Sequence, residues 1–170
     1  MDMSNAPLSN VDEVLRPIEK AKGLPNEHYT NDAVFAEERH AVLFDNWSAI
    51  GFGKDIPKSG DAKPINFVDM PLIIVRNNDG DINVFQNTCR HRGMILIDKP
   101  TQLNNIIRCP YHSWCYDLNG KICATPMVGG TESNNHEAVN YDELGLYKIR
   151  SYVWQDIIFV NISGDATEFV

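Results

Sequence analysis

The sequence predicts a mainly β fold entered through a helical arm. Three features predict it. Helical spacing of apolar residues occurs only before residue 47. Beyond it lie short apolar runs, such as Leu72-Ile73-Ile74-Val75 and Ile157-Ile158-Phe159-Val160, of strand length rather than helix length. Turn signals separate those runs at short intervals.

Taken in order, residues 1 to 10 are polar and read as a frayed terminus. Val11, Val14, Leu15 and Ile18 stand at helical spacing up to Lys22. Pro17 interrupts them, which predicts a short or broken helix. Thr30 or Asn31 can cap a second helix running to about Phe44, with Asp32 in its first turn. Phe35 and Val42, and Ala36 and Leu43, stand seven apart and mark one apolar face.

Strands follow from Trp47. The first runs to Phe52 and the loop Gly53 to Pro64 succeeds it. Ile65, Phe67 and Asp69 alternate with Asn66 and Val68. Leu72 to Arg76 reads as a buried strand. Asn77-Asn78-Asp79-Gly80-Asp81 is a hairpin turn, because Asn and Asp-Gly tolerate positive φ. The return strand through Ile82, Val84 and Phe85 delivers the chain into Cys89. Residues 94 to 104 connect to a short strand, Asn105 to Arg108, which leads into Cys109. Trp114 to Asp117 and the return through Ile122 and Cys123 enclose the turn Leu118-Asn119-Gly120-Lys121. A Gly-, Asn- and Ser-rich loop spans Thr125 to Asn140. Leu146 to Trp154 and Ile157 to Asn161 form a last pair joined at Gln155-Asp156. This gives about eight to ten short strands. The division is an arm at 1–46, a β domain at 47–162 and a polar tail at 163–170.

The chain has 170 residues, 43% hydrophobic and 22% charged, a composition that excludes wholesale disorder and allows a real core. Its formal charge of −8 disfavours nucleic acid, which selects a basic surface. An acidic surface suits a basic redox partner. The apolar runs are far too short to span a bilayer, and Met1 to Asn10 lack the basic and apolar regions of a signal peptide. The expectation is a cytoplasmic protein without nucleic-acid or membrane partners.

Chemistry concentrates in Cys89-Arg90-His91-Arg92-Gly93 and Cys109-Pro110-Tyr111-His112-Ser113-Trp114. Each segment offers one thiolate and one imidazole, Cys-x-His and then Cys-x-x-His. Residues 92–108 separate the pairs. Two sulfur and two nitrogen ligands suit either a tetrahedral zinc or a [2Fe–2S] cluster. Against zinc, zinc modules are usually tiny and pair Cys with Cys. The spacing matches the Rieske fingerprint, in which two Cys hold one iron and two His the other. The oxidised Fe₂S₂ core is dipositive. Two thiolates make it neutral, whereas four would make it a dianion, so imidazole ligation raises the potential. Cys115 and Cys123 read as reduced structural thiols.

The two motifs, extended by Tyr116-Asp117-Leu118-x-Gly120, resemble the Rieske domain of aromatic-ring-hydroxylating non-haem iron oxygenase α subunits. The likeness continues through Trp47 to Gly53, Asn83 to Thr88, and Leu144-Gly145-Leu146 to Asn161. The arm, with Gly23-Leu24-Pro25, His28-Tyr29-Thr30 and Phe35, is most similar to the branch containing choline monooxygenase. Ser113 departs from the family, where glycine is commoner, on the expectation that any small residue fits the loop. The resemblance implies a Rieske iron–sulfur fold with a cluster-binding part at about 86–126. It implies that Cys89 and Cys109 bind a buried iron, and His91 and His112 an outer iron from which electrons leave. It implies a ferredoxin or flavin reductase as redox partner, and the catalytic domain of a neighbouring α subunit as acceptor. A mononuclear Fe(II) belongs to that domain. The remaining histidines, His28, His40 and His136, read as helix-surface or loop residues, so this chain supplies no catalytic residue for hydroxylation. Met94 and Tyr111 occupy the positions where high-potential Rieske proteins carry a second pair of cysteines, and Trp114 replaces a serine. Both point to a potential near the low end of about −150 to +300 mV. Two other readings stay open: a stand-alone Rieske ferredoxin and a structural zinc module.

Overall fold

Leu72 and Ile74 of one strand face one way and Ile73 and Val75 the other, and this divides the core in two. The computed structural model describes residues 11–169; the expectation for residues 1–10 lies outside them. Helix α1 is Glu27–Thr30 and α2 is Asp32–Glu38. The strands are β1 Ser48–Phe52, β2 Asp61–Phe67, β3 Met70–Arg76, β4 Ile82–Gln86, β5 Thr101–Gln102, β6 Ile106–Arg108, β7 Cys115–Asp117, β8 Ile122–Ala124, β9 Arg150–Trp154 and β10 Ile157–Asn161. They form three antiparallel sheets, ordered β1-β10-β9, β4-β3-β2-β5 and β6-β7-β8. The mainly β expectation therefore holds.

The first core lies between the second sheet and β6-β7-β8. It holds Ile73, Val75, Phe85, Leu96, Ile107, Trp114 and Tyr116 together with both candidate cysteines. The second lies between β3–β4 and the β1-β10-β9 sheet, around Ile56, Leu72, Ile74, Val84, Ile158 and Val160. Because β3 is buried on both faces, its four central residues are all apolar rather than alternating.

The predicted turns form as their side chains dictate. The Asn77 Oδ1 accepts from the amides of Asp79 and Asp81, and the Asp117 Oδ1 from those of Asn119 and Lys121. Gln155 and Asp156 both take positive φ, the backbone of a tight hairpin. Val68 and Asp69 do the same, at φ 48° and 66°. They form a turn between β2 and β3 instead of extending the strand. In the 94–104 connection, the pair Thr101–Gln102 adds an edge to β2.

The arm differs most from expectation. Residues 11–22 make turns closed onto the carbonyls of Val11 and Pro17 rather than a helix. Pro17 cannot donate, and it biases Arg16 out of the helical region. Asn31 caps α2, its side chain accepting from the Ala33 amide at 2.8 Å. The helix then widens to π geometry over Arg39–Phe44. Phe35 is 53% and Val42 55% exposed, whereas Phe44 is turned inward. The buried Asn161 holds that turn, donating to the Phe44 carbonyl at 2.9 Å. The tail is not loose either. Phe169 packs on Trp47, Tyr152 and Phe159, and Arg150 donates to the carbonyls of Gly164 and Ala166.

Candidate metal centre

Two loops of the same construction carry the four candidate ligands. In the first, which follows β4, the Cys89 amide donates to the Met94 carbonyl and the Gly93 amide returns to the Cys89 carbonyl, at 2.8 and 2.9 Å. In the second, between β6 and β7, the Cys109 amide donates to Trp114 and the Ser113 amide returns to Cys109, at 2.8 and 3.1 Å. The fifth residue of each loop has positive φ, +68° at Gly93 and +58° at Ser113. Nothing lies within 4 Å of a Cβ built on Gly93. What the first loop asks of its fifth residue is a left-handed backbone rather than small size, and Ser113 meets the same demand less easily.

The scaffold fixes both loops. The buried Asn87 side chain exchanges hydrogen bonds with Ile97, at 2.6 and 3.0 Å, and so pins the chain leaving the first loop. Asn83 and Asn77 donate to Asn119, tying β4 and the first hairpin to the β7–β8 turn. Gly120 lets that turn press onto the buried Phe85, whose ring stands 2.5 Å from where a Cβ would be.

The ligand candidates separate by depth. Cys89 and Cys109 are buried and interact with one another. His91 and His112 lie outside them, ring centroids 4.8 Å apart. The His112 Nδ1 is buried without a hydrogen-bond partner among the described residues, as a nitrogen reserved for a metal should be. Among the same residues, no three His, Cys, Asp or Glu side chains converge on one point as a single ion requires. A thiol pair below an imidazole pair instead fits a two-iron cluster. Cys115 and Cys123 are free thiols; Cys115 is buried and Cys123 is exposed. Among the described residues the four cysteines form no disulfide.

Charge and packing around the pairs are uneven. Burial pushes the Cys89 thiol up, while the Tyr116 hydroxyl and the His91 amide pull it back. Partial desolvation holds His91 below its usual range, and the like charges of His112 and Arg92 add to this. Trp114 stacks on His91 at 4.8 Å and 11°, so it packs against a candidate ligand rather than merely beneath the loop. His91, His112 and Trp114, with Pro126, Met127 and Val128, line a cavity of about 430 Å³ on the histidine side.

Sequence reading missed the hydrogen bond of Tyr116. Its hydroxyl accepts from the Arg90 amide at 3.0 Å and lies 3.3 Å from the Cys89 Sγ. Burial, followed by the bond to Cys89, holds its pKa far above the ordinary phenol range. The available signal was that a buried tyrosine needs a partner; nothing local identifies which. Of the other histidines, His40 is exposed and stacks edge-on to Phe44, and His136 sits in its loop. His28 departs from expectation. It belongs to α1, its side chain is 5% exposed, and it faces Glu38 at 3.4 Å.

Fold and site together define a class of small β domains that present paired Cys/His loops side by side. The family model described as the Rieske [2Fe-2S] domain matches residues 46–140. The chain belongs to that family, whose cofactor is a Rieske-type [2Fe–2S] cluster. It is 29% identical to biphenyl 2,3-dioxygenase subunit alpha of Rhodococcus jostii over 82% of this chain and 30% of that protein. It is 25% identical to the chloroplastic choline monooxygenase of Atriplex hortensis over 91% of this chain and 34% of that one. The chain thus spans about a third of these relatives' length. A solved quaternary ammonium Rieske monooxygenase, concerned with carnitine oxidation and inter-subunit electron transfer, superposes with a TM-score of 0.77. It is 24% identical and covers 87% of this chain and 39% of its own, a likeness of fold. No helix among the described residues is long and apolar enough to cross a membrane.

Proposed function

We propose that Cys89 and Cys109 bind the inner iron of the cluster and His91 and His112 the outer iron, and that the chain relays electrons within an oxygenase. The cluster-binding part is residues 86–126, carried by a β unit at 47–162 behind the arm. The bound cluster supplies a one-electron carrier. This chain's residues bury one end of it, expose the other and set its potential. The observation that carries the reading is the separation of depth: thiols inside, imidazoles side by side at the surface edge. An outer iron held by imidazoles places the donor within reach of another protein.

The electron source in this reading is a ferredoxin or flavin reductase. The acceptor is a mononuclear iron in the catalytic domain of a neighbouring subunit, and the whole works in the cytoplasm. The names of the relatives, oxygenase subunits of both aromatic and quaternary-amine type, support it. So does the inter-subunit transfer named for the solved monooxygenase.

The chain purified with its metal decides the ligand set. The expected result is a red-brown protein with two irons and a Rieske absorption and EPR signature. Cys89→Ser abolishes that signature, whereas Cys115→Ala and Cys123→Ala leave it intact. A colourless chain carrying one zinc rejects the proposal. Rapid oxidation of the reduced chain on mixing with a cognate catalytic domain, but not with that domain stripped of iron, tests the relay.

A further inference from the structure

We propose that Arg90 is a positioning residue for the cluster. Its side chain latches the first ligand loop to residues 143–147 and thereby keeps Tyr116 in register with the Cys89 sulfur. The inference rests on the ligand reading above and concerns a residue that no ligand motif requires.

The latch has two ends. On the backbone side, the Arg90 amide donates to the Tyr116 hydroxyl at 3.0 Å. With one lone pair so engaged, that hydroxyl keeps its proton for the Cys89 Sγ, 3.3 Å away. On the side-chain side, the Arg90 guanidinium lies over the Tyr147 ring, its Cζ 3.7 Å from the centroid. One terminal nitrogen also donates to the Glu143 carbonyl at 3.2 Å. The Arg90 Nε is shielded from water without a hydrogen-bond partner among the described residues. The aromatic face and the carbonyl together fix where this partly exposed guanidinium sits. Arg92, two residues on, is simply exposed.

The anchor is itself rigid. The Tyr147 carbonyl accepts from the Gln86 amide at 2.9 Å, and β4 is the strand that delivers Cys89. The Leu146 amide donates to the Gly120 carbonyl at 2.7 Å, in the turn that follows β7 and Tyr116. Residues 143–147 thus brace both sides of the Tyr116–Cys89 contact, and Arg90 joins that brace to the loop. A hydrogen bond to a ligand sulfur stabilises the reduced cluster. The latch therefore raises the potential without touching the cluster.

Charge and positioning are separated by changing Tyr147, which leaves Arg90 in place. Redox titration of the cluster-loaded chain is expected to give a lower potential for Tyr147→Leu and an unchanged one for Tyr147→Phe, which keeps the ring face. In a Tyr116→Phe background, Tyr147→Leu is expected to add nothing. An unchanged potential in Tyr147→Leu overturns the proposal, as does a full shift that persists without the Tyr116 hydroxyl. Hydrogen exchange by mass spectrometry on the peptide holding Arg90 reads the latch independently of the cluster. Tyr147→Leu should speed exchange there by about two- to fivefold, the range implied by losing a partly exposed cation–π contact. Unchanged exchange rejects the latch. Faster exchange in a chain that shows no Rieske spectrum upholds the latch and rejects the ligand reading instead.

Discussion

Tyr116 and Cys89 lie 27 residues apart in the chain and 3.3 Å apart in space, joined by a hydroxyl-to-sulfur contact in a fully buried setting. The replacement of a loop serine by Trp114 predicted a cluster with few hydrogen bonds to sulfur. With Cys89 as the proposed ligand, this contact is expected to offset part of that loss. A sulfur that accepts a hydrogen bond holds the extra electron of the reduced cluster more easily.

Tyr116→Phe is therefore expected to lower the potential while keeping the Rieske spectrum. It also leaves the part-buried Arg90 amide without its acceptor, at a cost of about 1 kcal/mol. Redox titration paired with denaturant unfolding reads both effects. An unchanged potential would show that the sulfur does not feel the hydroxyl.

The matched backbones of Gly93 and Ser113 allow a prediction with two signs. Ser113→Gly should stabilise the chain and Gly93→Ala should destabilise it, each by about 1 kcal/mol, because glycine, without a Cβ, takes positive φ at no steric cost. Unfolding of the two variants under identical metal loading tests it. Destabilisation by Ser113→Gly means that the serine side chain has a role beyond its backbone.

Gly120 meets two demands at once, φ of +83° and a gap filled by Phe85. Gly120→Ala should cost about 1–3 kcal/mol through overpacking in addition to backbone strain. Combining it with Phe85→Leu should recover part of the loss. Strictly additive effects of the two substitutions would mean that the ring and the turn do not collide.

Asn161 donates to the Phe44 carbonyl and accepts from the Ala166 amide at 3.0 Å, so one buried side chain holds both the arm and the tail. Asn161→Ala should destabilise by about 1–3 kcal/mol. It should also open residues 25–47 to limited proteolysis before the β unit is cut. Equal protection of the arm in variant and parent would assign the anchoring to Trp47 and Phe169 instead.

Arg92 is exposed beside His91 and adds to the positive field there. Arg92→Glu should lower the cluster potential, and the shift should shrink as salt rises, because exposed charges are screened. A potential that does not move removes Arg92 from the electrostatics of the site.

The parts legible in the sequence were those whose signal is local. Leu72 to Val75, Asn77 to Asp81 and the two Cys/His spacings each carry their structure within a few residues. The arm was legible in part: the Asn31 cap and the helical stretch to Phe44 were, whereas the turn from α2 into the π segment depends on how Phe44 and Asn161 meet, 117 positions apart. The Val68–Asp69 turn was hidden because two non-glycine residues adopt positive φ under the constraint of β2 pairing with β3. The site was half legible for the same reason. Four ligand candidates are marked by spacing, whereas Tyr116 and Arg90 act through contacts that only the packed sheets create.

The pairing of β1 with β10 bears on how such a unit can be handled. Ser48 stands opposite Val160, so the chain enters and leaves the β unit side by side. Neighbouring entry and exit points are the geometry by which a segment is joined to a surface turn of a host. Such a segment can equally be opened elsewhere and its old ends joined by a short linker.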